Sequence, residues 1–109
     1  MSDKEYLHYL SLERADRFRY RHTLKSGRIT YFSVQYEALI DNEWVAIVRY
    51  DSAHGRAHKD ILHPFERETK EEFYGQSFAD VLTMGERDIK TNWKKYRDEY
   101  EAKMKEKKQ

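Results

Sequence analysis

The chain has 109 residues, with 21 lysines and arginines against 20 aspartates and glutamates, a length that suits a single domain, 1–109, with a modest core. A net charge of +1 argues against a protein that coats nucleic acid through bulk electrostatics and leaves room for a local basic face. With no cysteine there is no disulfide framework, thiolate metal site or cysteine nucleophile, and no apolar run is long enough for a membrane span or a signal-peptide core.

Taken in chain order, residues 1–16 form a short N-terminal helix or arm, because Ser2 and Glu5 make a capping box ahead of Tyr6, Leu7 and Leu10. From Arg17 to Leu24 the pattern alternates: Phe18, Tyr20, His22 and Leu24 point one way, and Arg17, Arg19, Arg21 and Thr23 the other. Ser26 and Gly27 mark a turn. A second strand, Arg28 to Ile40, sets Phe32, Val34, Tyr36, Ala38 and Ile40 against Ser33, Gln35 and Glu37. Asp41 and Asn42 turn the chain into a third strand, Trp44 to Tyr50, and an antiparallel sheet is expected over 17–65. Glu66 to Glu72 reads as a loop or a short ragged hairpin. Ser77 and Asp80 then cap a long helix, 77–105, whose stripe is Phe78, Val81, Leu82, Gly85, Ile89, Trp93, Tyr96 and Tyr100. Gly85 inside that stripe lets helix and sheet approach closely. From Glu101 the residues are almost all charged, so the end is expected to protrude or fray. The fold class is α+β, an antiparallel meander of three or four strands packed against the long C-terminal helix.

Register decides the turn lengths. A three-residue loop, Asp41 to Glu43, pairs Ile40 with Trp44, Ala38 with Ala46, Tyr36 with Val48 and Val34 with Tyr50, a wholly apolar face, whereas a two-residue loop mixes polar and apolar. By the same test a Ser26 to Arg28 loop pairs His22 with Phe32, Tyr20 with Val34 and Phe18 with Tyr36. The opposite face then carries Arg17, Arg19, Arg21, Gln35, Glu37 and Arg49.

Tyr50 to Pro64 holds three of the five histidines, with Asp51, Arg56, Lys59 and Asp60 among them. In a strand beginning near Ala57, His58 and Asp60 share one face, and Lys59, Ile61 and His63 the other. A metal centre requires His58 and Asp60 to converge with His54 or with Asp51, and no tight ligand motif marks one, so neither a metal nor a cofactor is expected. Cleavage of RNA next to its own 2′-hydroxyl needs a base, an acid and a cation. His54, His58 and His63 suit the acid–base roles, with Asp51 and Asp60 orienting them. Arg49, Arg56 and Lys59 supply positive charge, Arg17, Arg19 and Arg21 hold the phosphate backbone, and Tyr31 stacks on a base. Structural roles account for the same residues: Asp51 accepts a hydrogen bond from the backbone of Ala53 or His54, His22 packs beside Phe32, and the strand arginines pair with Glu37 and Gln35.

Arg49, Tyr50, Asp51, Ser52, Ala53 and His54, following a hairpin and leading into His58 and the His63–Pro64 ending, resemble the TumE-like components of bacterial and archaeal toxin–antitoxin pairs and related small proteins. The likeness extends over Thr30 to Tyr96 in layout and is specific over Arg49 to Pro64. It implies a small cytoplasmic protein encoded beside an antitoxin and acting on RNA. The expected function is a toxin-like protein that acts on or binds nucleic acid, with metal-independent RNA cleavage as its chemistry. The alternative is a non-catalytic interaction module. RNA, an antitoxin or other protein, or a second copy joined through an exposed sheet edge are the expected partners, and a membrane is not.

Overall fold

The computed structural model describes residues 1–107. Six strands, β1 (Ser2–Tyr9), β2 (Asp16–Lys25), β3 (Arg28–Ile40), β4 (Glu43–Asp51), β5 (His58–Ile61) and β6 (Thr69–Glu72), precede one helix, α1 (Phe78–Lys107). The strands form one sheet in sequence order, every neighbouring pair antiparallel. The α+β meander and its C-terminal helix are therefore present, with six strands where three or four are expected. One added strand is β6, drawn from the Glu66 to Glu72 segment. The other is β1, which corrects the N-terminal helix: Tyr6 pairs with Tyr20 and stacks on its ring at 4.6 Å. That contact favours a strand over the weak local capping signal.

Both hairpins turn in two residues, not three. Ser26 and Gly27 have φ of 50° and 76°, and Asp41 and Asn42 have 52° and 66°, the left-handed pairs of tight turns that match strand twist. A bulge then restores the apolar face in each case. Past a shift between Thr23 and Leu24, Thr23 faces Tyr31, and His22–Phe32, Tyr20–Val34 and Phe18–Tyr36 pair as expected. Past a shift between Tyr36 and Glu37, Tyr36 faces Val48 and Val34 faces Tyr50. On the turn side of that second bulge, Trp44 pairs with Leu39 and Val45 with Ala38. Trp44 thus leaves the core face and joins the arginines, while Ile47 and Val48 are both buried.

Helix α1 begins at the expected cap, Ser77 Oγ accepting the Asp80 N–H at 3.1 Å. Val81, Leu82 and Ile89 are buried against Phe18, Phe32, Val34, Tyr36 and Val48, with Phe78, Trp93, Tyr96 and Tyr100 at the margin. The helix continues through the charged end to Lys107. Two polar nodes fix it to the sheet. Arg97 reaches Asp16 Oδ1 at 2.8 Å, the Ala15 carbonyl at 3.1 Å and the Leu39 carbonyl at 3.0 Å, and Tyr36 donates to the same Asp16 oxygen. Asp88 accepts from the Tyr50 and Tyr96 hydroxyls, each at 2.6 Å, and from Asn92 at 2.7 Å, with Lys59 Nζ 3.5 Å away. Burial raises the Asp88 pKa, but those donors and the Lys59 charge outweigh it and leave the carboxyl below its ordinary range. Burial, together with the hydrogen bonds they donate to Asp88, holds the Tyr50 and Tyr96 hydroxyls well above the usual tyrosine value.

Candidate functional site

Among the described residues the one helix leaves the other face of the sheet uncovered, and strand alternation decides what that face presents. Two cross-strand rows run over it: Leu7, Arg19, Gln35, Arg49, Asp60 and Lys70 in one, and Glu5, Arg21, Ser33, Asp51, His58 and Glu72 in the next. Arg17 lies beside them, its Nε 2.6 Å from Glu37 Oε1 and its guanidinium 3.8 Å from the Trp44 ring. Tyr9 borders Trp44 with ring centroids 6.4 Å apart. At the other end Arg21 lies 5.6 Å from the Tyr31 ring. Arg49 donates to Gln35 Oε1 at 2.6 Å, which leaves Arg19, 47% exposed and 3.8 Å from Glu37, and Arg21, without an ion pair among the described residues, as the less engaged arginines of these two rows.

At the β4–β5 end of this face Asp51, His58 and Asp60 converge, and all three are buried. His58 Nε2 lies 2.9 Å from Asp51 Oδ1 and 3.4 Å from Asp60 Oδ2. Its Nδ1 stands 3.0 Å from the Arg56 carbonyl, an acceptor only, so Nδ1 donates there. The connection that delivers His58 is a single 3-10 turn, Ala53–Gly55. Asp51 Oδ1 also accepts the Ala53 N–H at 3.0 Å, the turn-capping role its sequence position suggests. Ser52 Oγ accepts the Phe32 N–H at 3.0 Å, anchoring the turn to β3.

The three acid–base candidates do not come together. His58 faces the uncovered side, while His63 lies against the helix, its Nδ1 accepting from Lys103 Nζ at 2.9 Å and its Nε2 donating to Thr69 Oγ1 at 2.7 Å. His54 sits exposed in the turn with φ of 63°. Lys59 is likewise displaced from the phosphate-binding set, because its place in β5 turns it toward α1, where Nζ donates to the Tyr96 hydroxyl at 2.9 Å. Arg56 remains accessible, 67% exposed and 3.5 Å from Glu72. Hydrogen bonding from Tyr74, ahead of the opposing cost of burial and the pull of Arg56, lowers the Glu72 pKa. Sequence reasoning missed Tyr9 and Trp44 on the uncovered face, and Asp88 beneath the helix. Trp44 was hidden by the bulge, while Asp88 shares the helical repeat of Val81 and Gly85 and was legible as a polar residue beside an apolar stripe.

Among the described residues no helix is long and apolar enough to cross a membrane. Neither a curated protein nor a solved structure matches the chain. The family model described as a domain of unknown function, DUF7718, matches residues 1–106, and the chain belongs to that family.

Proposed function

We propose that the uncovered sheet face binds single-stranded RNA. The observation that carries this reading is the alignment of Arg19 and Arg21 in adjacent cross-strand rows, with Tyr31 at one end and Trp44 and Tyr9 at the other. Guanidinium groups hold phosphates with paired donors. Exposed aromatic rings stack on unpaired bases irrespective of sequence. Arg49 and Arg56 extend the basic track toward the β4–β5 turn, and Arg17 is the cation most occupied by a protein partner. Because His58 and His63 lie on opposite sides of the sheet, binding suits this geometry better than cleavage by a histidine acid–base pair. The resemblance of Arg49 to Pro64 to TumE-like proteins supports a cellular setting in which this binding arrests growth and an antitoxin relieves it.

The test is fluorescence anisotropy with a labelled single-stranded RNA of mixed sequence, alongside a duplex of equal length. Wild type is expected to bind the single strand in low salt, with quenching of Trp44 emission. The Arg19→Ala/Arg21→Ala double variant is expected to bind at least tenfold more weakly, and His63→Ala to bind normally. Absence of binding in low salt, or equal binding by the double variant, removes the proposal. A second reading, a protein-interaction module, rests on the outer edge of β1, unpaired along Ser2–Tyr9 among the described residues, with Leu7 and Tyr9 each 41% exposed. Such edges accept an added strand. A neighbouring gene product retained by the double variant and lost on proline substitution along β1 distinguishes the two.

A further inference from the structure

We infer that Asp51, His58 and Asp60 form a binding site for a divalent first-row transition-metal ion. The three side chains offer ligand atoms that all lie within 4.8 Å of one another. Two ligands each about 2.1 Å from one ion stand about 3.0 to 3.4 Å apart in octahedral or tetrahedral coordination. The spacings from His58 Nε2, 2.9 Å to Asp51 Oδ1 and 3.4 Å to Asp60 Oδ2, are of that size.

The hydrogen bonding around the ring is that of a ligand. Donation from Nδ1 to the Arg56 carbonyl orients the imidazole and directs Nε2 toward the two carboxylates, the outer-shell arrangement typical of metal-bound histidine. Ionised carboxylate oxygens only accept, so the three groups are held together by a proton, on Nε2 or on a carboxyl, or by a metal ion. An independent observation favours the larger charge. Asp60 is 8% exposed at its side chain, yet its Oδ1 is fully buried without a hydrogen-bond partner among the described residues. Lys70 Nζ is 3.6 Å away, beyond hydrogen-bonding distance. Lys70 thus supplies charge to Oδ1 but no hydrogen bond; a buried carboxylate oxygen without one is costly, and an ion held by both Asp60 oxygens removes that cost.

One imidazole nitrogen with two carboxylates suits Mn2+, Fe2+ or Zn2+ better than a thiophilic ion. Three protein ligands leave coordination positions for water or a ligand oxygen. The inference does not rest on RNA binding, because the three residues converge whatever the arginines hold.

The full chain, stripped with a chelator, is titrated with Mn2+ or Zn2+ by calorimetry and followed by thermal unfolding. A saturable one-to-one complex and a raised melting temperature are expected, with Asp60→Asn binding at least tenfold more weakly. Because that substitution can perturb the fold, imidazole nitrogen resonances of the wild type give a second readout: Zn2+ must move His58 Nε2 and leave His63 unchanged. No binding up to about 1 mM, an unmoved His58 resonance, or undiminished affinity in folded Asp60→Asn overturns the inference.

Discussion

The ring of Tyr50 lies on the bare backbone of Gly85: a Cβ built there would stand 2.6 Å from Tyr50 Cγ and 2.9 Å from its Cβ. The obstructing atoms sit at the base of the ring, where no rotation frees them. Alanine gains about 1 kcal/mol in helix propensity but has no space, so Gly85→Ala is expected to be destabilising by about 1–3 kcal/mol through overpacking. Urea unfolding of the variant measures it, and unchanged or increased stability refutes the close fit.

Asp88, beneath the same ring, makes stability depend on acid. Its folded pKa lies below its unfolded value, which is about 3.9. Its contribution is therefore full above that value and is lost as pH falls through the lower folded one. The urea midpoint of the wild type is expected to fall as pH drops from about 5 toward 2, and Asp88→Asn should flatten part of that slope. At neutral pH the variant, having exchanged a charged acceptor for a neutral one, is expected to lose about 1–3 kcal/mol. An identical pH profile in both proteins counts against the node.

Arg97 holds the Asp16 carboxylate of β2, the Ala15 carbonyl just before it and the Leu39 carbonyl of β3, while its Nε donates to Glu101 on the helix itself. Arg97→Leu strands the buried Asp16, which then keeps only the Tyr36 hydroxyl, and is expected to cost about 3–5 kcal/mol. Arg97→Lys should recover only a minor part, since an ammonium cannot span the three acceptors as a planar fork does. Comparable stability of the lysine variant and wild type excludes the fork as the source.

Lys59 separates the two sides of the sheet experimentally. With Nζ against Tyr96 and near Asp88, Lys59→Met is expected to lower thermal stability and leave RNA affinity within about twofold, a difference of roughly 0.4 kcal/mol. Arg21→Ala should do the reverse. A Lys59 variant of normal stability and weakened RNA binding contradicts the assignment of faces.

The alternation from Arg17 to Leu24 and from Arg28 to Ile40 was enough to place Phe18, Tyr20, Val34 and Tyr36 on one face and the arginines on the other, because a period of two is written directly into side-chain order. Bulges leave no such mark. Each adds one residue to a strand, so the pairings near both turns and the side taken by Trp44 could not be read, although the pairings beyond the bulges could. At the N-terminus, the capping pattern of Ser2 and Glu5 competes with the alternation of Lys4, Tyr6 and His8, and a contact with Tyr20 decides between them. The convergence of His58, Asp60 and Asp51 was legible as a geometric requirement. The same alternation already set Lys59 and His63 on the other side, a separation that grouping residues by proximity along the chain obscures.

Because every strand of the meander lies beside its neighbour in sequence, strands can dock one at a time as the chain is synthesised, with only short loops to close. The apolar side built by Phe18, Phe32, Val34 and Tyr36 nevertheless waits for α1, which follows all six strands in the chain. A chain cut before Phe78 would retain a paired but uncovered sheet with a broad greasy surface. Any process that detaches the helix, whether truncation, proteolysis or loss of the Arg97 and Asp88 anchors, therefore leads to aggregation before it leads to a random coil.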